Sequence, residues 1–109
     1  MKRLILVFTL LPAAVFAAAP DGRPDGRQIF LHGNANGAMP CAACHGIGAE
    51  GNSATGAPKL AGLPAGVISS DLAQFANGQG GSATMQFIAQ ALSPAEAQAV
   101  AQYLSSLQK

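Results

Sequence analysis

The sequence has few of the residues from which small domains usually build a core. It contains no tryptophan, one tyrosine and five phenylalanines, while thirteen of its 109 residues are glycines, which carry no side chain to pack. A chain of this length buries only a modest core of its own. We therefore expect a large bound group to complete the core.

The sequence also lacks an apolar run long enough for a comfortable transmembrane span of about 20 residues. Its longest run, from Leu4 to Phe16, follows Lys2 and Arg3 and precedes small residues, an order typical of a secretory signal peptide. We expect cleavage after Ala17, which makes residues 1–17 the signal peptide and residues 18–109 a mature domain without a membrane span. An uncleaved segment that anchors the domain is the alternative. Export of this kind predicts a periplasmic protein.

Charge of either sign is scarce as well. Removal of residues 1–17 leaves four basic and five acidic side chains, a net charge of −1. This composition excludes the basic surface that nucleic-acid binding requires. We also expect docking to other proteins to depend only weakly on salt, because there is little charge to steer it.

Cysteine is rare, but the two that are present form a recognisable pattern. In an exported protein Cys41 and Cys44 could form a disulfide, yet so short a loop makes a poor structural staple. With His45 they form Cys-x-x-Cys-His, the attachment signature of c-type haem. Two intervening residues make one helical turn, which allows both thiols to reach one edge of the porphyrin while His45 binds the iron. The motif predicts one covalent haem c.

The cysteine pair has three other interpretations. A thioredoxin-like dithiol belongs in a βαβ unit, and no alternating run predicts a strand here. A zinc site needs about four ligands, and His32 is the one further obvious candidate. The adjacent Cys44 and His45 would also crowd a single tetrahedral site. Haem attachment is favoured, with a disulfide, a redox dithiol and a zinc site as the alternatives.

Apolar residues at spacings of three and four predict an all-α fold. Helices are expected near residues 25–33, 65–77, 84–92 and 93–107, separated by glycine-rich loops. The last of these is the best signalled, because Ser93 is the expected N-cap, Pro94 takes the first helical position and Glu96 completes a capping box. No internal repeat or second domain appears.

Residues 25–107 resemble the class I c-type cytochromes, particularly the small bacterial kind with one haem. The matching motifs are the Cys-x-x-Cys-His segment, Gly26 and Phe30 in the first helix, Tyr103 in the last helix, and Pro58-x-Leu60. The resemblance implies a cytochrome c fold of three to four main helices around one covalently bound haem. It also implies that Pro58 and Leu60 line the histidine side of the haem, with the Pro58 carbonyl accepting a hydrogen bond from His45 Nδ1.

The resemblance further implies that Met85 is the sixth iron ligand. Among the methionines, Met1 lies in the signal peptide, and Met39 is tethered two residues before Cys41 at the attachment edge. Met85 follows the glycine-rich loop and is far enough along the chain to reach the other haem face. A lone methionine on an apolar helix is also common core filler, so His32 as ligand and an open or water-bound iron stay as alternatives.

Binding by His45 and Met85 would occupy both axial positions and let the iron change oxidation state without exchanging ligands. The sequence therefore predicts an electron carrier rather than an enzyme, with redox proteins as donor and acceptor, present as a monomer or weak dimer. One alternative is a fixed haem subunit of a periplasmic dehydrogenase or oxidase complex. The other is a ligand-binding haem protein with an open sixth position. For the haem carboxylates, the sequence does not choose among Arg27, Lys59, Gln79 and Ser82.

Overall fold

The chain folds into a set of helices joined by long loops. The computed structural model describes residues 23–108, so the predicted signal peptide lies outside the described range. The helices are α1 (Gly26–His32), α2 (Ala42–His45), α3 (Ala65–Ala76), α4 (Ala83–Gln90) and α5 (Pro94–Ser106). Within residues 23–108 the β structure amounts to an isolated bridge between Asn52 and Ala57. The all-α prediction is confirmed, with α2 a single turn beside four longer helices.

Side-chain caps set where several helices begin. The Ser93 hydroxyl accepts a hydrogen bond from Glu96 N at 3.1 Å, and Glu96 Oε1 accepts one from Ser93 N at 2.9 Å. This confirms the predicted capping box of α5. Helix α4 starts one residue earlier than predicted, because the Ser82 hydroxyl accepts from Met85 N at 3.2 Å and so serves as the N-cap. None of the described helices is both long and apolar enough to cross a membrane.

The first and last helices of the domain pack closely against each other. A Cβ atom on Gly26 would overlap the backbone carbonyl of Ala99, so α1 can approach α5 this closely only without a side chain there. The rings of Phe30 and Tyr103 lie 5.7 Å apart at an angle of 47°. Phe30 and Leu104 are among the largest fully buried side chains. The contact between α1 and α5 is therefore part of the buried core.

The helices pack mainly in a linear order. Helix α2 contacts α1, α1 contacts α5, α5 contacts α3, and α3 contacts α4. The predicted attachment motif on α2 and the predicted ligand Met85 on α4 therefore lie at opposite ends of this series. The space that both of them line is the candidate functional site.

Candidate functional site

A large apolar cavity lies among α2, α3, α4 and α5. Its volume is about 570 Å³, within the range of about 300–1,000 Å³ that is usual for ligand and cofactor sites. Much of its wall is made by apolar side chains from the long loop and three helices, namely Leu60, Ile68, Leu72, Phe75, Ile88, Val100 and Leu104. The sequence predicted several of these as helix faces, but did not show that they line one common cavity.

The cysteine motif lies at the edge of this cavity. Cys41 is the residue before α2, and its carbonyl accepts hydrogen bonds from Cys44 N at 3.2 Å and His45 N at 3.0 Å. Both thiols are free and both line the cavity. Burial raises the pKa of the Cys41 thiol to about 11. A reactive dithiol needs a lowered pKa instead, so this environment disfavours the thioredoxin-like alternative.

His45 is held in one orientation beside the thiols. Its side chain is only 4% exposed, and Nδ1 lies 2.8 Å from the Pro58 carbonyl oxygen, the hydrogen bond that the resemblance implied. Because a carbonyl only accepts, Nδ1 carries the proton and Nε2 has the free lone pair. The imidazole is therefore prepared to bind a metal through Nε2.

The backbone of the loop after α2 fixes the Pro58 carbonyl. Gly51 N donates to the His45 carbonyl at 2.8 Å, and the Ala49 carbonyl accepts from Leu60 N at 2.9 Å. Ala49 is fully buried and has a φ of +57°, a conformation that is uncommon for a residue other than glycine. Neither the conformation of Ala49 nor its role could be read from the sequence, because alanine carries no turn signal.

Two methionines line the cavity, from different parts of the chain. Met85 is half-buried in the first turn of α4, one turn before the buried Ile88. Met39 is 45% exposed and lies close in sequence to Cys41. His32 is exposed at the end of α1 and is not part of the cavity wall. The structure thus brings Met85, but not His32, to the same space as His45.

Several polar residues at the cavity were not predicted. Asp71 lines it from α3, where it lies three residues after Ile68 and four before Phe75, a spacing that could have placed it on the same helix face. Thr55 Oγ1 donates to the Cys44 carbonyl at 3.0 Å. Of the four candidates for haem carboxylates, Ser82 lines the cavity, whereas Arg27, Lys59 and Gln79 do not.

The donor set of the cavity fits a haem c. It offers two neighbouring thiols, an oriented imidazole and the thioethers of Met85 and Met39, all lining one apolar cavity. In the described part of the chain no group of three or more His, Cys, Asp or Glu side chains could hold a metal ion, so the zinc alternative has no support there.

Comparisons with known proteins agree with this chemistry. Residues 25–108 match the family Cytochrome c. The chain is 42% identical over 96 residues to the thiosulfate dehydrogenase electron acceptor of Stutzerimonas stutzeri (strain A1501), covering 87% of this chain and 44% of that protein. It is 39% identical to cytochrome c-552 of Acidithiobacillus ferridurans, covering 79% of this chain and 37% of that protein.

Solved structures show the same similarity. Cytochrome c4 of Acidithiobacillus ferrooxidans is 36% identical with a TM-score of 0.70, covering 75% of this chain and 48% of that one. Reduced recombinant cytochrome c4 of Pseudomonas stutzeri is 29% identical with a TM-score of 0.72, covering 84% and 50%. The chain spans less than half the length of the curated relatives it matches. From the family match, the fold and the cysteine motif, we conclude that this chain belongs to the cytochrome c family and carries covalently bound haem c.

Proposed function

We propose that this chain is a periplasmic electron carrier whose haem c is attached at Cys41 and Cys44 and ligated by His45 and Met85. The convergence of these four side chains on one apolar cavity is the observation that supports the proposal most. When bound, haem c supplies an iron that accepts and releases one electron. The protein is a carrier and not an enzyme in this proposal, because His45 and Met85 would together hold the iron and leave no position on it for a substrate.

Each side chain of the site has a separate task. The hydrogen bond from His45 Nδ1 to the Pro58 carbonyl fixes the ring and increases the basicity of Nε2. Met85 provides a thioether, which favours ferrous iron, and the apolar wall penalises the additional charge of ferric iron. Both effects raise the reduction potential. Leu60 excludes water on the histidine side, where it is half-buried.

Spectroscopy of the protein produced with cytochrome maturation machinery tests this proposal. We expect haem that stays attached on a denaturing gel, a weak near-infrared sulfur-to-iron band in the ferric state, and no binding of carbon monoxide at neutral pH. Absence of covalent haem would contradict the attachment site. Ready binding of carbon monoxide would instead support the ligand-binding alternative with an open sixth position.

The proposed location depends on removal of residues 1–17. Intact mass of the protein recovered from a periplasmic extract measures this directly, and we expect a mature chain that begins at Ala18. A mass that retains Met1 to Phe16 would indicate an anchored cytochrome instead.

A more specific role is suggested by the relative from Stutzerimonas stutzeri, which is named as a thiosulfate dehydrogenase electron acceptor. We propose that this chain accepts electrons from a periplasmic dehydrogenase, and that a thiosulfate dehydrogenase is the first donor to test. Rapid mixing of the ferric protein with such an enzyme and thiosulfate should reduce the haem, whereas omission of the enzyme should not. No reduction would exclude this donor. Size-exclusion chromatography of the native extract distinguishes a small free carrier from a fixed subunit of a complex.

A further inference from the structure

The loop between α1 and α2 is organised around one half-buried side chain, that of Asn34. Its Oδ1 accepts hydrogen bonds from Ala38 N at 2.9 Å and Asn36 N at 3.1 Å. Its backbone N donates to the Ala38 carbonyl at 3.3 Å. Asn34 therefore fixes residues 34–38, the segment that leads directly into the haem-attachment motif.

The other end of the same side chain reaches a distant part of the fold. Asn34 Nδ2 donates to the Ala91 carbonyl at 2.8 Å and to the two carboxylate oxygens of Glu96 at 3.1 and 3.3 Å. Ala91 is the C-cap residue of α4, and Glu96 belongs to the capping box of α5. These partners are 57 and 62 residues away in the sequence.

An amide is the side-chain group that suits this position. Two N–H donors face one end of Asn34, whereas a carbonyl and a carboxylate face the other end, so the position needs an acceptor and a donor on one short side chain. Aspartate would place negative oxygens against Glu96 and the Ala91 carbonyl. Serine is too short to reach both sides.

The helix contacts show why this bridge matters for the cavity. The main contacts connect α2 to α4 only through α1, α5 and α3 in turn. Asn34 connects the segment before α2 directly to the end of α4. Met85 is the third residue of α4, a helix of eight residues that is short enough to behave as one rigid unit.

We infer that Asn34 is a positioning residue that holds α4, and through it Met85, at a fixed distance from the haem-attachment segment. This inference rests on the proposed function, because it assumes that Met85 is the sixth ligand. Without the bridge, α4 is held mainly by α3, and displacement of Met85 by an added ligand becomes easier.

Binding of imidazole to the ferric holoprotein measures this effect. We expect imidazole to bind about tenfold more tightly to the Asn34→Ala variant than to wild type. A tenfold change in affinity corresponds to about 1.4 kcal/mol, and losing a hydrogen bond to a charged group costs a free energy of that order. The near-infrared sulfur-to-iron band should disappear at correspondingly lower imidazole concentrations. If Asn34→Ala yields no holoprotein, Asn34→Ser is measured in its place with the same expectation.

The Asp25→Ala variant is the matched control for general loss of stability. Asp25 caps α1 by accepting from Arg27 N and Gln28 N, both of which belong to α1 and not to α4. We expect it to lower the unfolding midpoint without changing imidazole affinity by more than about twofold. Equal increases in both variants, or no increase in Asn34→Ala, would overturn the inference.

A second pair of variants separates the two partners of the amide. Asn34→Asp should weaken Met85 ligation at least as much as Asn34→Ala, because two carboxylates then face each other. Adding Glu96→Gln to Asn34→Asp exchanges the two groups, so that a carboxylate at position 34 faces an amide at position 96. The hydrogen bond to α5 is then restored, but the contact with the Ala91 carbonyl is not. We expect the unfolding midpoint to recover while imidazole affinity stays raised. Full recovery of wild-type imidazole affinity would contradict the role of Ala91 and hence the inference.

The proposed function and this inference fail in different ways. A wild-type protein without the near-infrared band would refute Met85 as ligand, and the inference would fall with it. A wild-type protein that shows the band, with variants that bind imidazole as weakly as wild type, would refute the role of Asn34 alone.

Discussion

At the scale of single residues, the two methionines that line the cavity can be compared directly. Met85 and Met39 carry the same thioether and both line the cavity, but Met85 belongs to α4 and Met39 to the loop before α2. We predict that Met85→Ala removes the near-infrared band and lowers the reduction potential, because the thioether that favours ferrous iron is lost. Met39→Ala should keep both properties.

Near-infrared absorption and a redox titration of the two variants check this prediction. An unchanged band in Met85→Ala together with a changed spectrum in Met39→Ala or in His32→Ala would show that the assigned ligand is wrong.

What the sequence predicted at this scale was local chemistry. The identities and spacing of Cys41, Cys44 and His45 indicate their role without any knowledge of the fold. The role of Asn34 could not be predicted, because its two distant partners are brought to it only by the packing of α4 and α5 against the rest of the chain. The conformation of Ala49 could not be predicted for another reason, since its positive φ is imposed by the loop and not by a preference of alanine.

At the scale of the helices, the core side of α5 should dominate stability. Leu104 is 1% exposed, and its side chain belongs both to the buried core and to the cavity wall. We predict that Leu104→Ala lowers the free energy of unfolding by about 2–5 kcal/mol. Leu107→Ala, which truncates the half-buried C-cap residue directly after α5, should cost less.

Chemical denaturation of the holoprotein measures both variants. A midpoint for Leu104→Ala equal to that of wild type would show that this face of α5 does not pack in the core.

Two glycines give a sharper test of how the helices approach each other. Gly26→Ala would force a methyl group into the Ala99 backbone, so we predict a loss of about 3 kcal/mol or more, at the upper end of overpacking effects. Gly66 is in the first turn of α3, and a Cβ there would meet nothing within 4 Å. Gly66→Ala should therefore be neutral or stabilise by up to about 1 kcal/mol.

Thermal unfolding of both glycine variants checks this pair. Similar midpoints for the two would mean that α1 and α5 do not need the close approach at Gly26.

The helices themselves were predicted well, because their signals are local. The capping box at Ser93 and Glu96 fixes the start of α5 within the sequence of that helix. The start of α4 was predicted one residue late, since a serine that follows two glycines is as typical of a loop as of an N-cap. How the helices pack could be predicted only through the resemblance, because the apolar face of a helix does not show which other helix it packs against.

At the scale of the whole molecule, the small charge of the domain governs encounters with redox partners. The proposed mature chain, residues 18–109, contains four basic and five acidic residues. Strong electrostatic steering requires an accumulation of charge of one sign. We predict that the rate of electron transfer with a protein partner changes by less than about threefold between low and physiological salt.

Stopped-flow measurements across ionic strength check this prediction. A steep fall of the rate with added salt would show that the few charges are clustered at the docking surface and act together.

The close contact of Gly26 with Ala99 has a consequence for how such a domain can be joined to others. Ser106, the last residue of α5, lies only seven residues beyond Ala99, a distance of about 10 Å along a helix. The polypeptide therefore leaves the domain close to where it enters, and about four extended residues would bridge the two ends. A unit with adjoining ends can be duplicated in tandem or inserted into a larger protein through short linkers, with each core and each cavity left intact.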